Sequence, residues 1–298
     1  KGNIYHIHDT DFEFDGVGLP IHRLDESIKM TFCHRSNFFL VLLTSTGFVY
    51  TLGENKHGEC GIGVQDAFIS TLSKVNFGDD VNIIAITITD DVNMVLALSD
   101  TGELYSWGYN EDGQCGNGTN EDVYKPQPIN HYFQKPLAND ERIISIQSND
   151  KAFLALTNKG YIYQWGILDE FKTRFPTQIR ELINFIKDEQ IIHLPNKVER
   201  EFIAITNKKQ VLQWYFSPKF QFIVNPFRTF IRHYHNLSTS TTFNLIQCLI
   251  HHGIDVNKKD NFGMNPLNHA CLEPSRSKLI LLFLKSGSDV SNIDYGKY

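Results

Sequence analysis

Long apolar runs are missing from this sequence of 298 residues. The longest, "FFLVLL" at 38–43 and "LILLFL" at 279–284, are six residues each, far short of the roughly 20 that a membrane-spanning helix needs. The first residues, "KGNIYHIHDTDFEFDG", place Asp and His where a secretory signal needs an unbroken apolar stretch. Lys1 is not an initiator Met, so the chain is expected to be a piece of a longer one. Cysteine is sparse and scattered: five, at 33, 60, 115, 248 and 271, with no C-x-x-C pair. That argues against a disulfide framework and a zinc knuckle, and points to a reducing interior, either cytoplasm or nucleus, or a host cell for a secreted effector. An excess of positive charge is missing too. The formal charge is -6; residues 1–225 hold 20 Lys+Arg against 29 Asp+Glu, and residues 226–298 hold 8 against 5. The larger part therefore lacks the basic footprint of nucleic-acid binding. Neither a G-x-x-x-x-G-K-[ST] phosphate loop nor a G-x-S-x-G nucleophile elbow occurs, so no catalytic residue, cofactor or metal site is expected.

What the sequence does contain is repetition. "VYTLGENKHGECGIG" at 49–63 returns as "LYSWGYNEDGQCGNG" at 104–118, with Gly53 and Gly108, Gly58 and Gly113, and Cys60 and Cys115 all 55 apart. Extended upstream, "FLVLLTSTGFVYTLG", "MVLALSDTGELYSWG" and "AFLALTNKGYIYQWG" align without gaps; "EFIAITNKKQVLQWY" is a worn copy with Lys209 in the glycine position, and "KGNIYHI" a partial one. The equivalent positions 2, 47, 102, 160 and 209 are spaced 45, 55, 58 and 49 apart, the period of propeller blades, solenoids or arrays. Short Val-, Ile- and aromatic-rich segments closed by Gly, Asn, Asp and Thr predict hairpins, and Pro126 to Ile129 and Pro176 to Ile179 precede further strand-like runs such as "RIISIQS". Each unit is expected to supply about four strands, the content of one blade.

Gly-x-hydrophobic-Tyr-x-Trp-Gly, Asn-x-x-Gly-Gln-x-Gly and Pro-x-x-Ile together resemble the repeat of the regulator-of-chromosome-condensation family of seven-bladed propellers. The likeness is fullest over 92–150, extends to 37–91 and in part to 151–199, and fades at 1–36 and 200–225. No paired-glycine Kelch strand or Trp-Asp blade ending is present. The family's Gly-x-x-His before the apolar strand is replaced in every copy; its histidine positions read Phe39, Met94, Ala152 and Glu201. The resemblance implies a mainly β propeller over 1–225, and its namesake is an exchange factor for a Ran-type GTPase.

From residue 226 the spacing becomes helical and a second repeat begins. Gly253 and Gly287, Asp255 and Asp289, and Asp260 and Asp294 are each 34 apart, close to the period of about 33 in ankyrin arrays. "DNFGMNPLNHAC" resembles the start of an ankyrin repeat, with Asn265 for Thr and Asn268 for His, implying an all-α ankyrin array over 226–298. Two copies are fewer than the roughly three an array needs to bury its own core. "PFRTFIRHYHNLSTSTT" is therefore expected to pair with 242–252 as a leading helix pair whose other side rests on the propeller.

His6 and His8 share a strand face beside Asp9 and Asp11, which polar alternation on a solvent side explains as well as a metal would. His251 and His252 precede a helix-ending Gly and read as C-terminal caps. Cys60 and Cys115 read as core thiols, and Tyr105, Trp107, Tyr163 and Trp165 as blade packing. The expected function is a non-enzymatic scaffold or adaptor that binds other proteins through propeller turns, Asn55, Lys56 and His57 with Tyr109, Asn110 and Glu111, and through the tip Lys258, Lys259, Asn261 and Phe262. Two other readings follow from the resemblance: nucleotide exchange on a small GTPase, and substrate recruitment to a ubiquitin ligase. Propellers joined to ankyrin repeats also resemble effectors of intracellular bacteria and proteins of amoebal viruses.

Overall fold

A computed structural model describes residues 26–34, 38–89, 94–149, 151–168, 171–195, 202–214, 221–223, 226–233, 239–260, 262–272 and 277–290. The partial repeat at the start, with His6, His8, Asp9 and Asp11, lies outside these residues, as do Glu201 and Asn261.

Among the described residues, sixteen strands form four antiparallel sheets, each a four-stranded meander in chain order. The first comprises β1 (Ile28–His34), β2 (Phe39–Thr44), β3 (Val49–Glu54) and β4 (Phe68–Lys74); the second β5 (Ile83–Ile88), β6 (Met94–Ser99), β7 (Leu104–Gly108) and β8 (Val123–Pro128). The third runs β9 (Ile143–Ser148), β10 (Ala152–Thr157), β11 (Ile162–Leu168) and β12 (Phe171–Gln178); the fourth β13 (Ile191–His193), β14 (Phe202–Thr206), β15 (Val211–Trp214) and β16 (Gln221–Ile223). One repeat of the sequence thus yields one sheet, and the four sheets fit the blades of a β-propeller.

The central hairpin of every sheet is closed by the same device. A hydroxyl residue ends the second strand, and its oxygen accepts from the backbone N–H four residues on: Thr44 from Phe48 at 3.0 Å, Ser99 from Glu103 at 3.0 Å, Thr157 from Tyr161 at 3.3 Å and Thr206 from Gln210 at 3.3 Å. The turn then passes through the left-handed region at Gly47, Gly102 and Gly160, where φ is 84°, 90° and 82°. The fourth copy holds Lys209 there at φ 59°, a conformation glycine adopts freely and a side chain adopts under strain. The strand β10 and its equivalents β6 and β14 are buried along their whole length, so they read as continuous apolar runs rather than alternating ones.

Between β12 and β13 the chain forms a short helix, α1 (Arg180–Ile186), which the sequence reading did not anticipate. It buries Leu182 and Ile186 in a core shared with Leu154, Phe202, Leu212 and Trp214. After the fourth sheet come α2 (Pro226–His233), α3 (Thr239–His251), α4 (Pro266–Cys271) and α5 (Ser277–Lys285). The anticipated leading helix pair is present as α2 and α3, and it does rest on the sheets: Phe227, Phe230, Ile231, Leu245, Ile246 and Leu249 enclose one core with Ile203, Ile205 and Val211 of the fourth sheet. Pro266 opens α4 at its first turn, where a missing N–H is no loss. Asn265 caps it, accepting from Asn268 N–H at 2.9 Å while its own N–H donates to the Asn268 side chain at 2.9 Å. Among the described residues no helix is long and apolar enough to cross a membrane.

Candidate interaction surface

The loops after β3 and β7 carry the first two sets of residues, and they are built alike from the inside out. Asn110 is fully buried: its Oδ1 accepts from Cys115 N–H at 2.8 Å, and its amide donates to Glu121 C=O at 2.9 Å and Thr119 C=O at 3.2 Å. Asn55 does the same one repeat earlier, accepting from Cys60 N–H at 3.0 Å and donating to Val64 C=O at 3.0 Å and Asp66 C=O at 2.9 Å. A hydroxyl of the third strand then reaches the cysteine carbonyl, Thr51 to Cys60 and Ser106 to Cys115, each at 2.7 Å. The expectation that Asn55 and Asn110 face a partner is therefore corrected. A buried loop backbone must find internal hydrogen-bond partners, and these two amides supply them.

Cys60 and Cys115 are likewise buried, as expected of core thiols. Burial pushes the Cys60 thiol up to about 12 and the Cys115 thiol higher still, leaving neither as a thiolate nucleophile.

Each loop also receives the tryptophan of the next sheet. Trp107 Nε1–H donates to Glu59 C=O at 2.8 Å and Trp165 Nε1–H to Gln114 C=O at 3.0 Å. Both indoles are fully buried, and they lie so close to the loops that a Cβ on Gly61 would come within 2.6 Å of Trp107 Nε1 and one on Gly116 within 2.9 Å of Trp165 Nε1. Glycine at these two places is a packing requirement.

Above this buried frame the remaining loop residues reach solvent. Lys56 and Glu111 are exposed, and His57 and Tyr109 half-buried. The two tips touch. His57 and Tyr109 rings meet edge to face at 4.9 Å, His57 Nδ1 lies 2.6 Å from Asp122 Oδ2, and Asp122 Oδ1 accepts from Asn110 N–H at 2.8 Å. Tyr124 hydroxyl donates to Lys56 C=O at 3.2 Å. Tyr109 donates its hydroxyl proton to Glu111 at 2.7 Å, and this bond, ahead of burial, pushes its pKa up to about 12. Lys56, His57, Tyr109 and Glu111 thus form one patch across two sheets. Asp122 and Tyr124 escaped the sequence reading because the first repeat has Ala67 and Ile69 at the corresponding positions, so no periodic signal marked them.

The second cluster lies in the turn between α3 and α4. Lys258 and Lys259 are exposed and Phe262 is 73% exposed. Asp260 shapes this turn by accepting from Phe262 N–H at 2.8 Å and Met264 N–H at 3.0 Å, and its other oxygen lies 2.9 Å from His269 Nε2 in a buried pair. Burial would raise the Asp260 pKa, but the hydrogen bonds from Met264, Phe262 and His269 outweigh it and hold the carboxyl below its ordinary value. Asn257 ties the turn to the next one through Gly287 C=O at 3.1 Å and Asp289 N–H at 2.7 Å. His252, expected as a helix cap, sets its Nδ1 2.9 Å from the Cys248 carbonyl.

Residues 101–148 match the regulator of chromosome condensation (RCC1) repeat. The human E3 ubiquitin-protein ligase HERC2 is 28% identical over 157 residues, 51% of this chain and 3% of that protein. The mouse RCC1-like G exchanging factor-like protein is 29% identical over 152 residues, 50% of this chain and 32% of the relative. The crystal structure of human WBSCR16 is similar in fold, with a TM-score of 0.52 at 22% identity over 65% of this chain and 50% of that one. The chain therefore spans a third or less of the curated relatives it matches, and what it carries of them is a set of RCC1-type repeats folded as four-stranded propeller sheets.

Proposed function

We propose that this chain is a non-enzymatic protein-interaction module, a scaffold or adaptor in which residues 1–225 form a propeller-type platform and residues 226–298 an ankyrin-type array. The observation that carries the reading is Phe262, 73% exposed beside Lys258 and Lys259 on a turn fixed from below by Asp260. An aromatic on a preorganised, cationic tip loses little conformational entropy on binding and suits an acidic partner surface. The capped start of α4, the left-handed Gly253 and Gly287 at φ 73° and 82°, and buried Ala270 support the ankyrin reading of this segment. The Lys56, His57, Tyr109 and Glu111 patch is the second contact surface. This reading assigns the chain no catalytic step, no cofactor and no nucleic acid.

Replacing Lys258, Lys259 and Phe262 together by Ala should weaken partner capture by the full chain and leave the melting temperature unchanged. Capture that survives the triple replacement rules out the tip. A second reading, regulation of a small GTPase, draws on the mouse relative named for exchange. It requires faster release of labelled GDP from a GTPase at substoichiometric protein, and unchanged release across a representative panel removes it. The HERC2 likeness favours ubiquitin-ligase recruitment in the same indirect way; ligase subunits among the captured proteins would support that variant of the scaffold reading.

A further inference from the structure

His193, Cys248 and His252 come together where the fourth sheet meets α3. His193 ends β13, and Cys248 and His252 stand four residues apart, one helical turn, on the side of α3 that faces it. One ligand atom from each residue lies within 4.8 Å of those of the other two. The His193 and His252 rings are stacked with centroids 4.3 Å apart at 25°, and Cys248 Sγ is 3.7 Å from His252 Nδ1. All three side chains are partly buried.

This is an unusual thing to build at a packed joint. Two imidazoles and a thiol gain little from one another as packing partners, and among the described residues neither ring is paired with a carboxylate. The apolar core surrounding α3 supplies ample aliphatic alternatives. What the trio does share is chemistry: neutral imidazole and thiolate are the ligands that select borderline and soft cations, and two nitrogens with one sulfur suit zinc. The spacing is also within reach. Zn–N of about 2.1 Å and Zn–S of about 2.3 Å put tetrahedral ligand atoms roughly 3.5 Å apart, so closure requires shifts of about an ångström and a fanning of the two rings. His252 already has the anchor that metal-bound imidazoles use, a hydrogen bond from ring Nδ1–H to a backbone carbonyl, here that of Cys248 at 2.9 Å. That bond leaves Nε2 with the free lone pair, and the His252 ring must turn to carry Nε2 towards Cys248 Sγ, which now lies beside Nδ1.

We propose that His193, Cys248 and His252 bind one zinc ion that clasps the helical segment to the fourth sheet. Binding forms two Zn–N bonds and one Zn–S bond; the thiol of Cys248 gives up its proton to solvent, and water completes the fourth position. The site is independent of the interaction surfaces above, because it lies at an internal joint and needs no partner.

The test uses the full chain, reduced, with Co(II) as the optical probe and Zn(II) as competitor. The expected result is one Co(II) per chain with a thiolate-to-cobalt charge-transfer band, displaced by Zn(II). Cys248→Ser should abolish the band. His193→Gln and His252→Gln should each weaken binding by at least about tenfold, the lower end of what loss of even an outer-shell partner costs. Cys271→Ser, on an exposed thiol, should change nothing. Absence of the band in the unaltered chain overturns the proposal, as does a band that survives Cys248→Ser or affinity that ignores His193→Gln. Should a variant fail to fold, alkylation of the unaltered chain decides: zinc should slow labelling of Cys248 and spare the rate at Cys271, and equal Cys248 rates with and without zinc contradict the site.

Discussion

The first three sheets are held to one another, and the fourth sheet to the leading helices, by different means. Sheets one to three are joined by a polar and aromatic lock, in which a tryptophan of each later sheet fills a glycine-lined loop of the one before and donates to its backbone. The fourth sheet has Trp214 at the corresponding place, buried, and one of its sides is covered by α2 and α3 through aliphatic and aromatic contact. The fourth sheet meets the third through Gln147, which donates to Pro195 C=O at 2.6 Å and accepts from Ile203 N–H at 3.1 Å, and meets the helix pair through the apolar side chains of Ile203, Ile205 and Val211.

Breaking the lock should have the largest effect. Trp165→Ala, and Trp107→Ala one joint earlier, should each destabilise by about 3–5 kcal/mol in denaturant unfolding, since each removes a fully buried indole. Next comes the loop frame. Asn110→Ala orphans more groups than Asn55→Ala, because its amide meets two further oxygens, Asn117 Oδ1 and Thr119 Oγ1. The expected losses are about 2–3 and about 1–2 kcal/mol, and equal losses would show that the two loops are better matched than their bonds suggest.

On the helical side, Asp260 gives a pH signature. Its folded pKa lies below the ordinary 3.8, so the unfolded chain binds the proton more readily and the contribution is complete above that value. It should be lost as pH falls through 3.8 and then through the folded pKa. Asp260→Asn should flatten this acid limb in thermal melts taken across the range. The smallest effect is expected in the fourth hairpin: Lys209→Gly should stabilise by up to about 1 kcal/mol, relief of left-handed strain being partly offset by glycine's greater freedom when unfolded.

Much of this architecture was legible in the sequence because it follows from local rules. The turn glycines 47, 102 and 160, the hydroxyl residues three positions ahead of them, the switch to helical spacing at 226 and the Pro266 start of α4 each need only near neighbours to act. The buried role of Asn55 and Asn110 was not legible. An Asn in a glycine-rich turn reads as exposed, and only the folding of the following eleven residues back over it makes it internal. Lys56, Glu111, Lys258, Lys259 and Phe262 stand at the surface as the turn positions implied. His57 is drawn towards Asp122 across a sheet boundary, and His193 meets Cys248 and His252 across the joint between the fourth sheet and α3; no periodicity connects such pairs.

The contrast between the two kinds of joint is tested most directly by hydrogen exchange of the full chain across a denaturant series, read by mass spectrometry. If the fourth sheet and the leading helices share one core, amides of β14, β15 and α3 should lose protection together, at one denaturant concentration. Exchange of α3 at low denaturant while β14 and β15 stay protected would contradict that, and would make the helical segment an attachment to the sheets instead of part of their core.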